Sequence, residues 1–122
     1  TLNPSSVKVD FLGDIYGVGL NVFRHSITHN QDTVLQLEFY APLSVTDKAP
    51  SGTYQFSGTN TYALVPASTD NGLFRGAWFT DVNGNKQIIK GQVGISQNDE
   101  KQNFTCRLID ETGRIIDVNY TH

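Results

Sequence analysis

LeuGlnLeuGluPheTyr, residues 35–40, decides the fold class. Leu35, Leu37 and Phe39 fall on one face of an extended chain and Gln36, Glu38 and Tyr40 on the other, the period of two that marks a half-buried strand, and Pro42 ends it. The alternation recurs downstream. Ile89, Gly91, Val93 and Ile95 alternate with Ile88, Lys90, Gln92 and Gly94, and Phe104, Cys106 and Leu108 alternate with Thr105, Arg107 and Ile109. Strict alternation predicts a core of Leu35, Leu37, Phe39, Val93, Ile95, Phe104, Cys106 and Leu108.

Working outward, weaker strand patterns cover residues 7–12, 15–25, 53–57, 61–66, 73–80 and 114–120, about nine strands in all. Between them lie AspLysAlaProSerGly at 47–52, AspAsnGly at 70–72, AsnGly at 83–84 and AspGluThrGly at 110–113. Asn and Gly accept positive φ cheaply, so tight antiparallel hairpins are expected, with a type I′ turn at Asn83 and Gly84. The fold class is therefore all-β: an antiparallel meander of about eight or nine strands, curled into a flattened barrel or folded into a two-sheet sandwich.

Length and composition agree. A chain of 122 residues is one domain, residues 1–122, long enough to bury roughly two thirds of its surface without a disulfide or metal. Hydrophobic residues at 38% and charged residues at 17% exclude a disordered tail or coiled coil, and 37 of the 122 residues are Thr, Asn, Ser or Gln, a balance that suits strands and turns. A net charge of −3 with no basic run argues against nucleic acid. No apolar run reaches the roughly 18 residues of a spanning helix, so no transmembrane segment is expected. The chain starts at Thr1 and contains no Met, which reads as a processed product or an excised domain. Cys106 cannot form an internal disulfide and reads as a buried, inert thiol on an apolar strand face.

Candidate chemistry is sparse. His25, His29 and Asp32 resemble a metal cluster, but on an extended chain rings four residues apart stand about 13 Å apart, too far to share an ion. Both histidines read as solvent-exposed loop residues. Asp81, Asn83 and Asn85 match the first three ligands of a calcium loop, yet Lys86 stands where Gly is required and Gln92 where Glu is. Glu38 is the one Glu well inside a strand and has no evident carboxylate partner for glycoside hydrolysis. Folding is thus expected to be metal-independent, with no cofactor, no metal ligands and no catalytic residues. The triplets at Asn103 and Asn119 are glycosylation sequons whose meaning depends on compartment.

Aromatics are the richest feature. Trp78 lies beside Phe74 and Phe79, and Tyr16, Tyr40, Tyr54, Tyr62 and Tyr120 punctuate the chain. An exposed ring flanked by amide or carboxylate groups can stack on a sugar face while its neighbours bind hydroxyls, so Trp78 and Tyr40 with Glu38 and Gln36 form the candidate ligand-binding set. Gly76, two residues from Trp78, is expected to leave open space beside the indole. The competing reading is core or cross-strand packing for the same rings.

From residue 35 onward the chain resembles a kind of small secreted or lipid-anchored domain of Bacteroidetes bacteria. The matching segments are LeuGlnLeuGluPheTyr at 35–40, SerGlyThrTyrGlnPhe at 51–56, IleLysGlyGlnValGlyIleSer at 89–96 and AspGluThrGlyArgIleIle at 110–116. The resemblance implies an antiparallel β domain outside the cytoplasm, periplasmic or on the cell surface, anchored through an upstream cysteine. It carries no functional residues. Gly94 departs from the pattern, a bulkier strand residue being expected there, and puts the sheet edge at that point in question. The function expected is a non-catalytic binding or interaction module, with a glycan or another surface protein as partner. The alternatives are a lipocalin-like barrel holding an apolar ligand and a small enzyme.

Overall fold

A computed structural model describes residues 4–122. Among the described residues ten strands follow one another without a helix: β1 (Ser6–Gly13), β2 (Asn21–Asn30), β3 (Thr33–Ala41), β4 (Gly52–Gln55), β5 (Ser68–Asp70), β6 (Leu73–Arg75), β7 (Trp78–Asp81), β8 (Gly84–Asn98), β9 (Lys101–Asp110) and β10 (Ile115–Thr121). The main sheet runs β1-β2-β3-β7-β8-β9-β10, antiparallel throughout, with β4 also paired to β8, and it curls into a half-barrel; β5 and β6 form a separate small hairpin. No helix among the described residues is long and apolar enough to cross a membrane.

The curl comes from β8. Its first residues, Gly84 to Gln87, pair with β7, while Gln92 to Ile95 pair with β4 and most of its length pairs with β9. A bulge between Ile88 and Lys90 bends the strand where it passes from one neighbour to the next. At Gly91 the φ is +119°, and a Cβ would stand 2.2 Å from the Arg107 carbonyl oxygen, so the neighbouring backbone admits no side chain. The bulge also corrects the expected alternation: Ile88, not Ile89, joins Val93 and Ile95 in the core, and Ile89 is exposed. Gly94 is not at a sheet edge, since it pairs with Thr53 on one side and Thr105 on the other.

The strip at residues 63–65 ties the two halves together. Tyr40 donates its N–H to the Ala63 carbonyl, Val65 donates to Glu38, and Leu64 donates to Gln55, so this short stretch bridges β3 and β4. It stands where a strand over 61–66 is expected. The pattern over 15–25 yields a strand only from Asn21, the pattern over 73–80 is split at Gly76 into β6 and β7, and β5 carries no expectation at all. The β7–β8 hairpin exists, but positive φ falls on Gly84 alone and not on Asn83, so its turn is not type I′.

All eight predicted core residues are buried. Between the layers the rings of His25, Phe39, Tyr54, Phe104 and Tyr120 pack in sequence, with His25 to Phe39 at 4.8 Å, Phe39 to Tyr54 at 5.1 Å and Phe104 to Tyr120 stacked at 4.4 Å. His25 is therefore no loop histidine: it sits in the middle of β2 with its side chain in the core, and Nδ1 is 3.0 Å from the Tyr120 hydroxyl. Cys106 is buried as expected, and burial pushes its thiol up to about 12. Leu37→Ala opens a cavity at a fully buried position and is expected to cost about 2 to 5 kcal/mol in denaturant unfolding. A loss below about half a kcal/mol would be incompatible with this packing.

Candidate functional site

The β2–β3 hairpin sets Arg24 directly opposite Glu38 and Val22 opposite Tyr40, and β7 sets Trp78 opposite Gln36. The four predicted residues are thus neighbours on the outer face of one sheet. That face is not open. The loop at 14–20 and the segment at 66–76, with its β5–β6 hairpin, lie across it, which buries Glu38 and Tyr40 and leaves Trp78 only 7% exposed.

Three of the four hold the covering segment in place. Gln36 Nε2 donates to the carbonyls of Phe74 at 3.2 Å and Gly76 at 3.1 Å. Trp78 Nε1 donates to the Arg75 carbonyl at 2.9 Å, and the Phe74 ring meets the indole edge-on at 4.6 Å. Glu38 accepts the Gly76 N–H at 2.9 Å. The space expected beside the indole is filled by backbone: Gly76 has φ +82°, and a Cβ there would lie 2.0 Å from the Pro66 carbonyl oxygen. Gly76 is thus the position where the chain can turn back onto the sheet.

Glu38 is the centre of this arrangement. Its carboxylate is 0% exposed, and besides Gly76 it accepts from the Tyr16 hydroxyl and from Arg24, whose Nε and Nη2 both reach Oε2 at 2.7 Å. Burial and the adjacent Glu38 carboxylate push the Tyr16 phenol well up, so it donates and does not act as a base. Burial disfavours the Arg24 charge, yet Glu38 outweighs it and the guanidinium is held above its ordinary value. Tyr16 is presented by a loop that Asp14 closes, Oδ1 accepting from Val18 N–H at 2.8 Å and Oδ2 from Gly19 N–H at 3.0 Å.

Above the buried carboxylate is a cleft of about 260 Å³ lined by Tyr16, Tyr40, Val65, Pro66, Ala67, Ser68 and Arg75. The Arg75 guanidinium lies 5.0 Å over the Tyr16 ring and pairs with Asp70 at 2.6 Å. Of the predicted set, Tyr40 alone lines this cleft. Tyr16 and Arg75 line it too, and neither belongs to the predicted set. Their signal is tertiary: Tyr16 lies in the 15–25 pattern and Arg75 in the 73–80 pattern, but Tyr16 stands on a loop and Arg75 at the end of the short strand β6, outside the main sheet.

The other candidates resolve into local structure. Asp81 accepts the Asn83 N–H at 2.9 Å and pairs with Arg114, outside the hairpin, at 3.2 Å, while Asn85 accepts from Thr80 at 2.6 Å, so Asp81 and Asn85 spend side-chain oxygens on protein partners. No group of three or more His, Cys, Asp or Glu side chains is placed to hold a metal ion among the described residues. Melting in excess chelator is expected to coincide with melting in calcium or zinc, and a rise of several degrees with either ion would contradict this. The chain finds no match among protein-family models, curated proteins or solved structures.

Proposed function

We propose that the protein is a non-catalytic, extracytoplasmic binding module that takes one sugar residue of a glycan in the Tyr16–Tyr40–Arg75 cleft. The observation that carries this reading is the cleft itself: two phenol rings and an apolar wall of Val65, Pro66 and Ala67 face an arginine and a serine within about 260 Å³. That is below the 300 to 1,000 Å³ of drug-sized sites, which suits a single ring. The half-buried Tyr16 ring offers an aromatic surface for the apolar side of a sugar, while Tyr40, 5% exposed, adds only a small part of the wall, and the guanidinium fork donates to hydroxyls or to a carboxylate. The parts are fixed before a ligand arrives, Tyr16 by Glu38 and Tyr40 by its bond to Ala63, which lowers the entropy cost of a shallow site.

The non-catalytic reading is supported, as regards glycoside hydrolysis, by how the nearest carboxylates are used. Hydrolysis of a glycoside requires two carboxyl groups flanking the bond. Glu38 lies beneath the cleft with its oxygens occupied, and Asp70 pairs with Arg75. The extracytoplasmic location rests on the resemblance of residues 35–40, 51–56, 89–96 and 110–116 to secreted domains. The aromatic filling of the half-barrel supports a surface ligand over one held inside.

A polysaccharide panel tests the reading by affinity electrophoresis followed by calorimetry. At least one polysaccharide should bind without release of reducing ends, and Arg75→Ala should weaken it tenfold or more, about 1.4 kcal/mol. Retention of full affinity in Arg75→Ala, or no binding across the panel, overturns it.

A further inference from the structure

We infer that the protein self-associates through β1, two copies pairing edge to edge and antiparallel about a two-fold axis at Val9. Among the described residues the path of the main sheet ends at two outer strands, β1 and β10, while β4, off that path, pairs with β8 and is bridged on its other side by Gln55 and Ala63. The two outer strands differ in what they leave uncovered. On β10 the inward residues Ile116, Val118 and Tyr120 are all buried, so another strand would gain little there. On β1 no residue is buried, although Val7, Val9 and Phe11 sit opposite Ile27, His25 and Phe23 and therefore face the core. Phe11 stays 47% exposed while packing on Phe23 at 5.2 Å. A strand added beyond β1 would cover these three apolar side chains and satisfy the row of backbone groups the edge presents.

A second copy of β1 fits that edge by its own sequence. Antiparallel pairing centred on Val9 sets Val9 opposite Val9 of the second copy on the axis, and Val7 opposite Phe11 and Lys8 opposite Asp10, these two pairs each repeated by symmetry. Directly opposed residues share a face, with Cβ atoms about 4.5 to 5.5 Å apart. The six apolar residues thus form one continuous inner ridge, and the outer face carries two Lys–Asp pairs. Lys8 and Asp10 are already 3.8 Å apart within one strand, with side chains 76% and 40% exposed, so both can turn toward a neighbour. A lysine on an edge strand ordinarily deters pairing. Here the aspartate two residues on removes that deterrent for one partner, the identical strand, which is the isologous contact of a two-fold dimer.

The test is sedimentation velocity on the 122-residue chain across a concentration series, with circular dichroism to confirm that each variant folds. The wild type should pass from monomer to dimer. Lys8→Asp puts two Asp–Asp pairs across the axis and Asp10→Lys two Lys–Lys pairs, so each variant alone should dimerise at least tenfold more weakly. Mixing the two variants should restore a dimer, because each then meets its complement. A wild type that stays monomeric at every concentration overturns the inference. So does a wild-type dimer that neither substitution weakens, or a mixture no more associated than its components.

Discussion

Arg24→Met is expected to destabilise the protein by about 3 to 5 kcal/mol, the range for removing one partner of a buried ion pair. The loss should fall toward the lower end, because the Arg24 side chain keeps 28% of its surface in water while Glu38 keeps none. Methionine preserves the packing of the arginine stem, so what is lost is the charge and two hydrogen bonds of 2.7 Å. The buried carboxylate is then left with the Tyr16 hydroxyl and the Gly76 N–H. Urea unfolding measures the loss. In the Arg24→Met background, Glu38→Gln should recover part of the stability, since a buried amide carries no uncompensated charge. A cost below about 1 kcal/mol for Arg24→Met would put the pair among ordinary surface ion pairs. The same substitution should speed hydrogen exchange at Gly76, because that amide is tied to Glu38.

The inner face of this protein was legible from alternation, and the outer face was not. Leu35, Leu37 and Phe39 alternate with polar residues and point into the core as that pattern requires. On the other face Glu38 and Tyr40 looked like solvent-facing residues, since alternation says which side a residue occupies and nothing about what covers that side. The cover is supplied by segments at 14–20 and 66–76, whose weak strand patterns over 15–25 and 73–80 give a loop and a small separate hairpin instead of strands of the main sheet, and Gly76, expected to leave open space, is where backbone meets backbone.

Register was hidden in a similar way. The two-residue turn at Gln31 and Asp32 with strict pairing would set Arg24 opposite Phe39. A bulge at His29 shifts the register by one residue, which puts Arg24 opposite Glu38 and sends His25 inward beside Leu37. A second bulge at Ile89 exchanges the places of Ile88 and Ile89 in the same way. Bulges are insertions of one residue with no fixed sequence signature, so period-two reasoning stops being reliable on their far side. Both misplaced features, the buried histidine and the covered ion pair, lie beyond such a point.

Acid should therefore act through His25. Its ring is 2% exposed among Phe39, Phe104 and Tyr120, and burial, helped by the nearby His122, lowers its pKa from 6.5 to about 3. The folded protein keeps the imidazole neutral where the unfolded chain protonates it. Below about pH 6.5 the unfolded state binds one proton more than the folded state, so the stability is complete above that pH and falls as pH drops toward 3, at about 1.4 kcal/mol per unit. At pH 4.5 the loss from this one group is about 3 kcal/mol. His25→Phe fills the same ring site but leaves the Tyr120 hydroxyl, now 3.0 Å from Nδ1, without its partner, a cost of about 1 to 3 kcal/mol at neutral pH. The variant should thus be the less stable protein at pH 7 and approach or overtake the wild type by pH 4.5. His29 and His122 are present in both proteins and cancel in the comparison. Parallel stability curves between pH 7 and 4.5 would mean that the folded core admits the proton, and with it the water, that this packing keeps out.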